Sequence, residues 1–331
     1  VSAPARRVKP PDALVQALRR AGSVVLVTHL NPDGDGLGSE AALGAALRAM
    51  GKTVAVANND PVPGQYAFLG LDAFAPGGSG QAHDLAVSLD CPVLERLGPM
   101  GQAAFAAARE RAVIDHHVPK DPFGDFPWIE EKSAATGEMI EALLPELGLA
   151  PSPAMATALY AAIVHDTGCF RHSNTDAFVF AAAVRLLEAG ADSRGVNRRL
   201  LDEKPLRQVR LQARALGGLR SLAGGRAALV TVSAAELAAE GATWEDTDGL
   251  AEALRSIEGV EVGAMLREEG PLAAKLSVRS KYSFDVNVFA QAWGGGGHAK
   301  AAGATLRMPF DQAVEAVSRA LQDLPSAGSK A

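Results

Sequence analysis

Only two cysteines, Cys91 and Cys169, occur in 331 residues, too few for a disulfide framework. Aromatic residues make up 5% of the chain, leaving few π-faces on which a long single strand of nucleic acid could stack. An excess of positive charge is missing too: 32 Lys and Arg stand against 38 Asp and Glu, a formal net charge of −6. Coating long nucleic acid requires many cationic contacts to phosphate, so this balance argues against it and leaves room only for a local basic groove. No uncharged apolar run is long enough to span a bilayer. Arg6, Arg7 and Lys9 are followed by prolines rather than by the apolar stretch of a signal peptide. The expectation is a cytoplasmic protein with no membrane partner, frayed at residues 1–10 and 325–331.

The chain has the make-up of a globular protein, 48% hydrophobic and 21% charged, with length enough for two domains. One stretch organises the first of them. Ser23-Val24-Val25-Leu26-Val27 reads as a buried strand, and residues 37–50 carry apolar side chains at helical spacing up to Gly51. Between them lies Thr28-His29-Leu30-Asn31-Pro32-Asp33-Gly34-Asp35-Gly36. Asn-Pro and Asp-Gly are ordinary turn chemistry. A histidine and two aspartates crowded at one strand-to-helix turn are unfavourable unless a cation neutralises the acids.

The pattern continues along the chain. Residues 12–20 read as a helix and 53–58 as a second strand. Residues 85–90 form a third strand ending on Asp90, followed by a helical turn over 93–97. Residues 111–114 form a fourth strand ending on Asp115-His116-His117. A loop rich in Pro, Asp and Gly follows, then helices from about 138 to 147, 155 to 166 and 176 to 189. Alternation of this kind predicts a mostly parallel sheet with helices on both faces. Residues 191–225 carry eight basic and three acidic side chains and read as a helical linker with a basic face, for which simple solvation is the competing reading. A smaller α/β domain is expected beyond it, with strands at 227–232, 260–266 and 273–279, helices at 247–257, 285–292 and 311–321, and Gly294-Gly295-Gly296-Gly297-His298.

Candidate ligands recur at successive strand ends or turns: His29, Asp33 and Asp35; Asp90; Asp115, His116 and His117; and Asp166. Several carboxylates share a pocket only with bound cations, and His with Asp makes a borderline-to-hard set suited to Mn²⁺, Mg²⁺, Fe²⁺ or Co²⁺. Any one acid could equally be a helix cap; the recurrence carries the joint reading.

In the order His29-Leu30-Asn31-Pro32-Asp33-Gly34-Asp35, Asp90, Asp115-His116-His117, His165-Asp166-Thr167-Gly168 and Gly294-Gly295-Gly296-Gly297-His298, the chain resembles the DHH-family phosphoesterases with a C-terminal DHHA1 domain, in their nano-RNase branch. The resemblance implies a DHH catalytic domain over 1–190, the linker over 191–225 and a DHHA1 substrate-binding domain over 226–331. It implies two divalent ions, Mn²⁺ foremost: His29 and Asp33 on one, Asp35, His116 and Asp166 on the other, and Asp90 bridging. Asp115 would orient His116, and His117 would stand near the scissile phosphate as donor or general acid. Arg279, Gly295, Gly296, Gly297 and His298 would grip substrate, since glycine backbone and Arg both suit phosphate. An isolated glycine run reads equally as a flexible helix cap. Cys91 and Cys169 flank ligand positions, where they are either oxidation-sensitive or merely small and buried.

The implied activity is hydrolysis of very short oligoribonucleotides to 5′-mononucleotides, with phosphoadenosine phosphate and linear or cyclic dinucleotides as related substrates and substrate lying between the domains. The alternatives are a RecJ-like single-strand DNA exonuclease, a pyrophosphatase of the same superfamily and a non-catalytic nucleotide sensor. A homodimer is left open.

Overall fold

Side chains alternate along β1 (Ser23–Val27), and this decides how the first sheet is covered. Val24 and Leu26 join a core with Leu14, Leu37, Leu43, Met139 and Leu159, whereas Val25 and Val27 join a second with Leu97, Ala104 and Phe105. A strand buried on both faces is what a parallel sheet between helical layers requires. A computed structural model describes residues 6–73, 75–76, 82–119 and 121–324. Of the ends expected to fray, 1–10 and 325–331, residues 1–5 and 325–331 lie outside the described residues, whereas 6–10 are tied down: Arg6 pairs with Glu141, Arg7 with Glu138 and Asp176, and Val8 is buried. The chain packs as two units, Val1–Glu203 and Lys204–Ala331.

In the first unit the order is α1 (Asp12–Arg20), β1, α2 (Gly34–Ala49), β2 (Thr53–Val56), β3 (Ala75–Pro76), β4 (Leu85–Leu89), α3 (Gly98–Ala107), β5 (Glu110–Asp115), β6 (Phe126–Ile129), α4 (Thr136–Glu146), α5 (Pro153–Asp166), α6 (Ala177–Glu188) and α7 (Ser193–Asn197). The strands form one parallel sheet in the order β3-β2-β1-β4-β5-β6, in which β3 contributes two residues. The order reverses between β1 and β4, and the crevice beyond the carboxyl ends at such a switch point is where ligands of open α/β sheets bind.

Several elements of this unit depart from expectation. Helix α3 was not foreseen, because Gly98-Pro99-Met100-Gly101-Gln102-Ala103-Ala104 offers little contrast between polar and apolar positions. Strand β6 falls in the stretch read as a loop; Pro127 lies in it, which an edge strand tolerates. Helix α2 also starts three residues early, at Gly34, taking Asp35 into its first turn. It is buried around most of its circumference because Gly38 lets α5 approach: a Cβ there would stand 2.5 Å from the Ala158 carbonyl.

The second unit runs α8 (Leu206–Gly217), β7 (Arg220–Leu222), β8 (Ala227–Val232), α9 (Ala234–Glu240), α10 (Leu250–Arg255), β9 (Val262–Gly270), β10 (Ala273–Ser280), α11 (Val286–Gln291), β11 (Gly296–His298), β12 (Ala301–Leu306) and α12 (Phe310–Gln322). Its sheet, β11-β12-β10-β9-β8-β7, is antiparallel except where β8 meets β9. The basic face expected over 191–225 is largely paired: Arg207 with Asp246, Arg214 with Glu240, Arg198 with Glu203, and Arg199 over the Phe68 ring. No helix among the described residues is long and apolar enough to cross a membrane.

Candidate metal centre

His29 follows β1 by two residues, Asp90 follows β4 directly and Asp115 ends β5, so all three stand at carboxyl ends around the switch point. Asp166 is the last residue of α5. Asp90 has φ +56°, a left-handed conformation costly for any residue but glycine, and its N–H donates to the Ile114 carbonyl at 3.1 Å. Strain of this kind persists where the surroundings hold it, commonly at functional sites.

The two aspartates of the turn are fixed by helix amino ends. Asp33 caps α2: its Oδ1 accepts from the Asp35 N–H at 3.0 Å and the Gly36 N–H at 3.3 Å. Asp35 is fully buried and takes the first amides of α4, with Thr136 N–H on Oδ2 at 2.6 Å and Gly137 N–H on Oδ1 at 2.8 Å.

Among the clusters that result, two have the expected members, with donor atoms within 4.8 Å of one another: His29, Asp33 and Asp90, and Asp35, His116 and Asp166. Asp90 faces both. Its Oδ2 lies 3.6 Å from His29 Nε2 and its Oδ1 3.6 Å from His116 Nε2. His29 Nε2 is 3.5 Å from Asp33 Oδ2, and His116 Nε2 is 3.0 Å from Asp166 Oδ2 and 3.7 Å from Asp35 Oδ2. The far nitrogens fix the tautomers. His29 Nδ1 is 2.8 Å from the Leu30 carbonyl and His116 Nδ1 is 3.2 Å from the Ser133 carbonyl. A carbonyl only accepts, so each Nδ1 carries hydrogen and each Nε2 is turned to the carboxylates, as in metal-bound imidazoles.

The orienting partner of His116 is therefore Ser133, not Asp115 as expected. Asp115 Oδ1 instead accepts the His117 N–H at 2.8 Å and lies 2.9 Å from His117 Nδ1. The reason is local: at the end of β5, residue 117 turns back over residue 115, while His116 points across to the loop before α4.

Charges in the cluster are balanced by protons. Burial opposes a charge on His29, but Asp33 and Asp90 overcome it and push His29 up to about 10. In the same way His116 is pushed up to about 12 by Asp166, Asp90 and Asp35. His117 rises to about 9 through Asp115 and Asp90. Asp90 is held far below the carboxylate range by His116, His117 and His29 despite its burial, whereas burial, with Asp90 and Asp166 nearby, pushes Asp35 up. Such a set fits divalent ions. His116 Nε2 is turned to Asp166, Asp90 and Asp35 at 3.0, 3.6 and 3.7 Å, and a cation there would do what the protons do, displacing them as it binds.

Cys91 is buried, its thiol donating to the Val93 carbonyl at 3.2 Å, and burial pushes it up to about 12. That is an unreactive thiol.

In the second unit Arg279 on β10 is in register with Ala301 on β12, which is in register with His298 on β11. Cross-strand partners share a face, so the sheet brings Arg279 and His298 to one row. The glycine run expected as a loop is partly strand. Gly297 has φ +150°, and a Cβ on it would stand 2.4 Å from the Ala301 carbonyl; one on Gly295 would stand 2.1 Å from the Gly303 carbonyl. Glycine is needed there for β11 to lie against β12. The guanidinium of Arg279 is paired with Glu252 of α10.

Sequence reasoning missed His165 and Tyr66. Tyr66 Oη lies 2.9 Å from His165 Nδ1, and His165 Nε2 lies 3.5 Å from Asp33 Oδ2. The signal for His165 was its place beside Asp166; Tyr66, in a short 3₁₀ segment, had none.

The model of the DHH family, N-terminal domain, matches residues 23–163, and that of the DHHA1 domain matches residues 224–324. The chain is 32% identical, over 91% of its length and 90% of the relative's, to the bifunctional oligoribonuclease and PAP phosphatase NrnA of Thermus thermophilus. An exopolyphosphatase-related protein of Bacteroides fragilis superposes with a TM-score of 0.88 at 24% identity, covering 94% of this chain and 95% of that one. The exonuclease RecJ in its manganese-bound structure gives a TM-score of 0.54 at 17% identity, with 97% of each chain covered. With its strand-end histidines and aspartates, its α/β second unit and a relative matched nearly end to end, the chain belongs to the DHH family of phosphoesterases that carry a C-terminal DHHA1 domain.

Proposed function

We propose that this chain is a metal-dependent phosphodiesterase that hydrolyses very short oligoribonucleotides to 5′-mononucleotides, with phosphoadenosine phosphate and dinucleotides as further substrates. One observation carries it: the two oxygens of Asp90 face two separate sets of ligands, His29 with Asp33 and His116 with Asp35 and Asp166. In this reading two divalent ions are held there, Mn²⁺ being the first to test. Bound there, they would polarise phosphoryl oxygens and supply hydroxide near neutral pH. The residues of the chain do the rest. Asp115 fixes His117 through Nδ1 and favours its protonated form, which is able to donate to a phosphoryl or leaving oxygen. Arg279 and His298 hold the remaining nucleotide in this reading, with Glu252 fixing the guanidinium.

Arg279→Ala is expected to lower kcat/KM by about 10- to 150-fold, roughly 1.5–3 kcal/mol for one charge-assisted contact, mainly through KM. Metal content should be unchanged, and a fall in metal along with activity would count against the assignment.

The test of the function is a panel of dinucleotide, long oligonucleotide, phosphoadenosine phosphate and cyclic dinucleotide with Mn²⁺. We expect kcat/KM to fall as substrate lengthens from a dinucleotide to beyond about ten nucleotides, with modest salt dependence from few phosphate contacts. Faster processive degradation of the long strand would assign the protein to a RecJ-like activity instead.

A further inference from the structure

Asp33 Oδ2 has an imidazole on either side: His29 Nε2 at 3.5 Å and His165 Nε2 at 3.5 Å. His165 stands on α5, one residue before Asp166, and forms with Asp33 and Asp166 a further set of residues whose donor atoms lie within 4.8 Å. Its other nitrogen is 2.9 Å from Tyr66 Oη, and the Tyr66 ring packs edge-on to the imidazole, 6.1 Å between centroids. Tyr66 is buried. Gly34 accommodates the pair, since a Cβ there would stand 2.8 Å from His165 Cβ and 2.9 Å from Tyr66 Cε1.

A histidine turned to a carboxylate cluster by one nitrogen and anchored through the other has the arrangement of a metal ligand with its outer partner. The ring of Tyr66 restricts the imidazole plane, and an Nδ1–H donated to Tyr66 Oη leaves the Nε2 lone pair toward Asp33. We propose that His165 is a further metal ligand, completing with His29 and Asp33 a site that has two imidazoles where the other set has one, and that Tyr66 is its positioning residue. The consequence is asymmetry. The His29 side has the more nitrogen-rich donor set, so it takes borderline ions such as Co²⁺ or Zn²⁺ more tightly than the His116 side does. This rests on the metal-dependent reading above.

The experiment is titration of the metal-free full chain with Co²⁺, followed by d–d absorbance and calorimetry, without substrate. Wild type is expected to take up two equivalents in two steps. His165→Asn should weaken the tighter step by about 100-fold or more and change its spectrum, and Tyr66→Phe should weaken it by about tenfold, the range for losing an outer partner. Circular dichroism of the metal-free variants guards against misfolding, and Tyr66→Phe, which removes only an oxygen, keeps the test open if His165→Asn fails to fold. Both variants binding Co²⁺ as wild type does would overturn the role of His165 alone. Wild type binding no Co²⁺ would overturn the metal-dependent reading itself.

Discussion

Asp90→Ala abolishes turnover: kcat/KM is expected to fall by about 10³-fold or more, about 4 kcal/mol of transition-state stabilisation. The residue turns one oxygen to each donor set, 3.6 Å from His29 Nε2 on one side and 3.6 Å from His116 Nε2 on the other. Its loss leaves the imidazoles of His29, His116 and His117 short of a common counter-charge, so metal content should fall with activity. The measurements are steady-state hydrolysis of a dinucleotide with Mn²⁺ and elemental analysis of the purified variant. Near-normal turnover with a normal metal complement would sink the assignment of two ions sharing Asp90. A variant that keeps its metal but not its activity would move Asp90 from holding ions to handling substrate.

Chelated and metal-loaded protein should respond to pH in opposite directions. Without metal, His29, His116, His117 and His165 are raised to about 10, 12, 9 and 9 by the carboxylates around them. A base raised in the folded state stabilises fully below its unfolded value, about 6.5, and that stability is lost as pH rises through the folded value. The raised Asp35 acts in the same sense, because its ionisation in the folded state is penalised as pH rises. Asp33 and Asp90 are lowered, so their contribution is present above about 3.9 and is lost on acidification. The chelated protein should therefore be most stable between about pH 4 and 6.5 and lose on the order of a few kcal/mol toward pH 10. The metal-loaded protein needs the imidazoles that face the ions, those of His29, His116 and His165, deprotonated, so its extra stability grows as pH rises and disappears on acidification. Thermal melting across pH with EDTA and with Mn²⁺ measures both arms. Parallel curves would mean that no ion binds at these residues.

Residues with local signatures were legible in the sequence. The β1 turn announced itself because a β-branched run, a turn and a helix are contiguous, and each acid that follows a strand did so within one or two positions. What escaped depends on contacts distant in the chain. Nothing near Asp115 tells whether it serves His116 or His117; the Ser133 carbonyl, 17 residues after His116, settles it. Tyr66 meets His165 across 99 residues. The row of Arg279, Ala301 and His298 exists only once β11, β12 and β10 are in register. Helix α3 and strand β6 were lost for another reason: a Gly- and Ala-rich helix has no amphipathic contrast, and a strand containing Pro127 reads as loop. Helix α2 was found but begun late, because Gly34 and Gly36 resemble turn residues until Asp33 is seen to cap them.

Asp33 and Asp35 each answer to the scaffold before they answer to any ion. One oxygen of Asp33 terminates α2 and both oxygens of Asp35 terminate α4. The rotameric freedom of these side chains is thus surrendered when the helices form, so an arriving ion has little chain left to order. Loading is then governed by what must leave, water from the ion and protons from the imidazoles, and its rate should follow how readily each metal sheds its hydration shell. The same wiring makes Asp33→Asn a selective probe. It leaves an amide oxygen to hold the end of the helix and removes the charge that faces the imidazoles, separating folding from capture of the ion at a single atom.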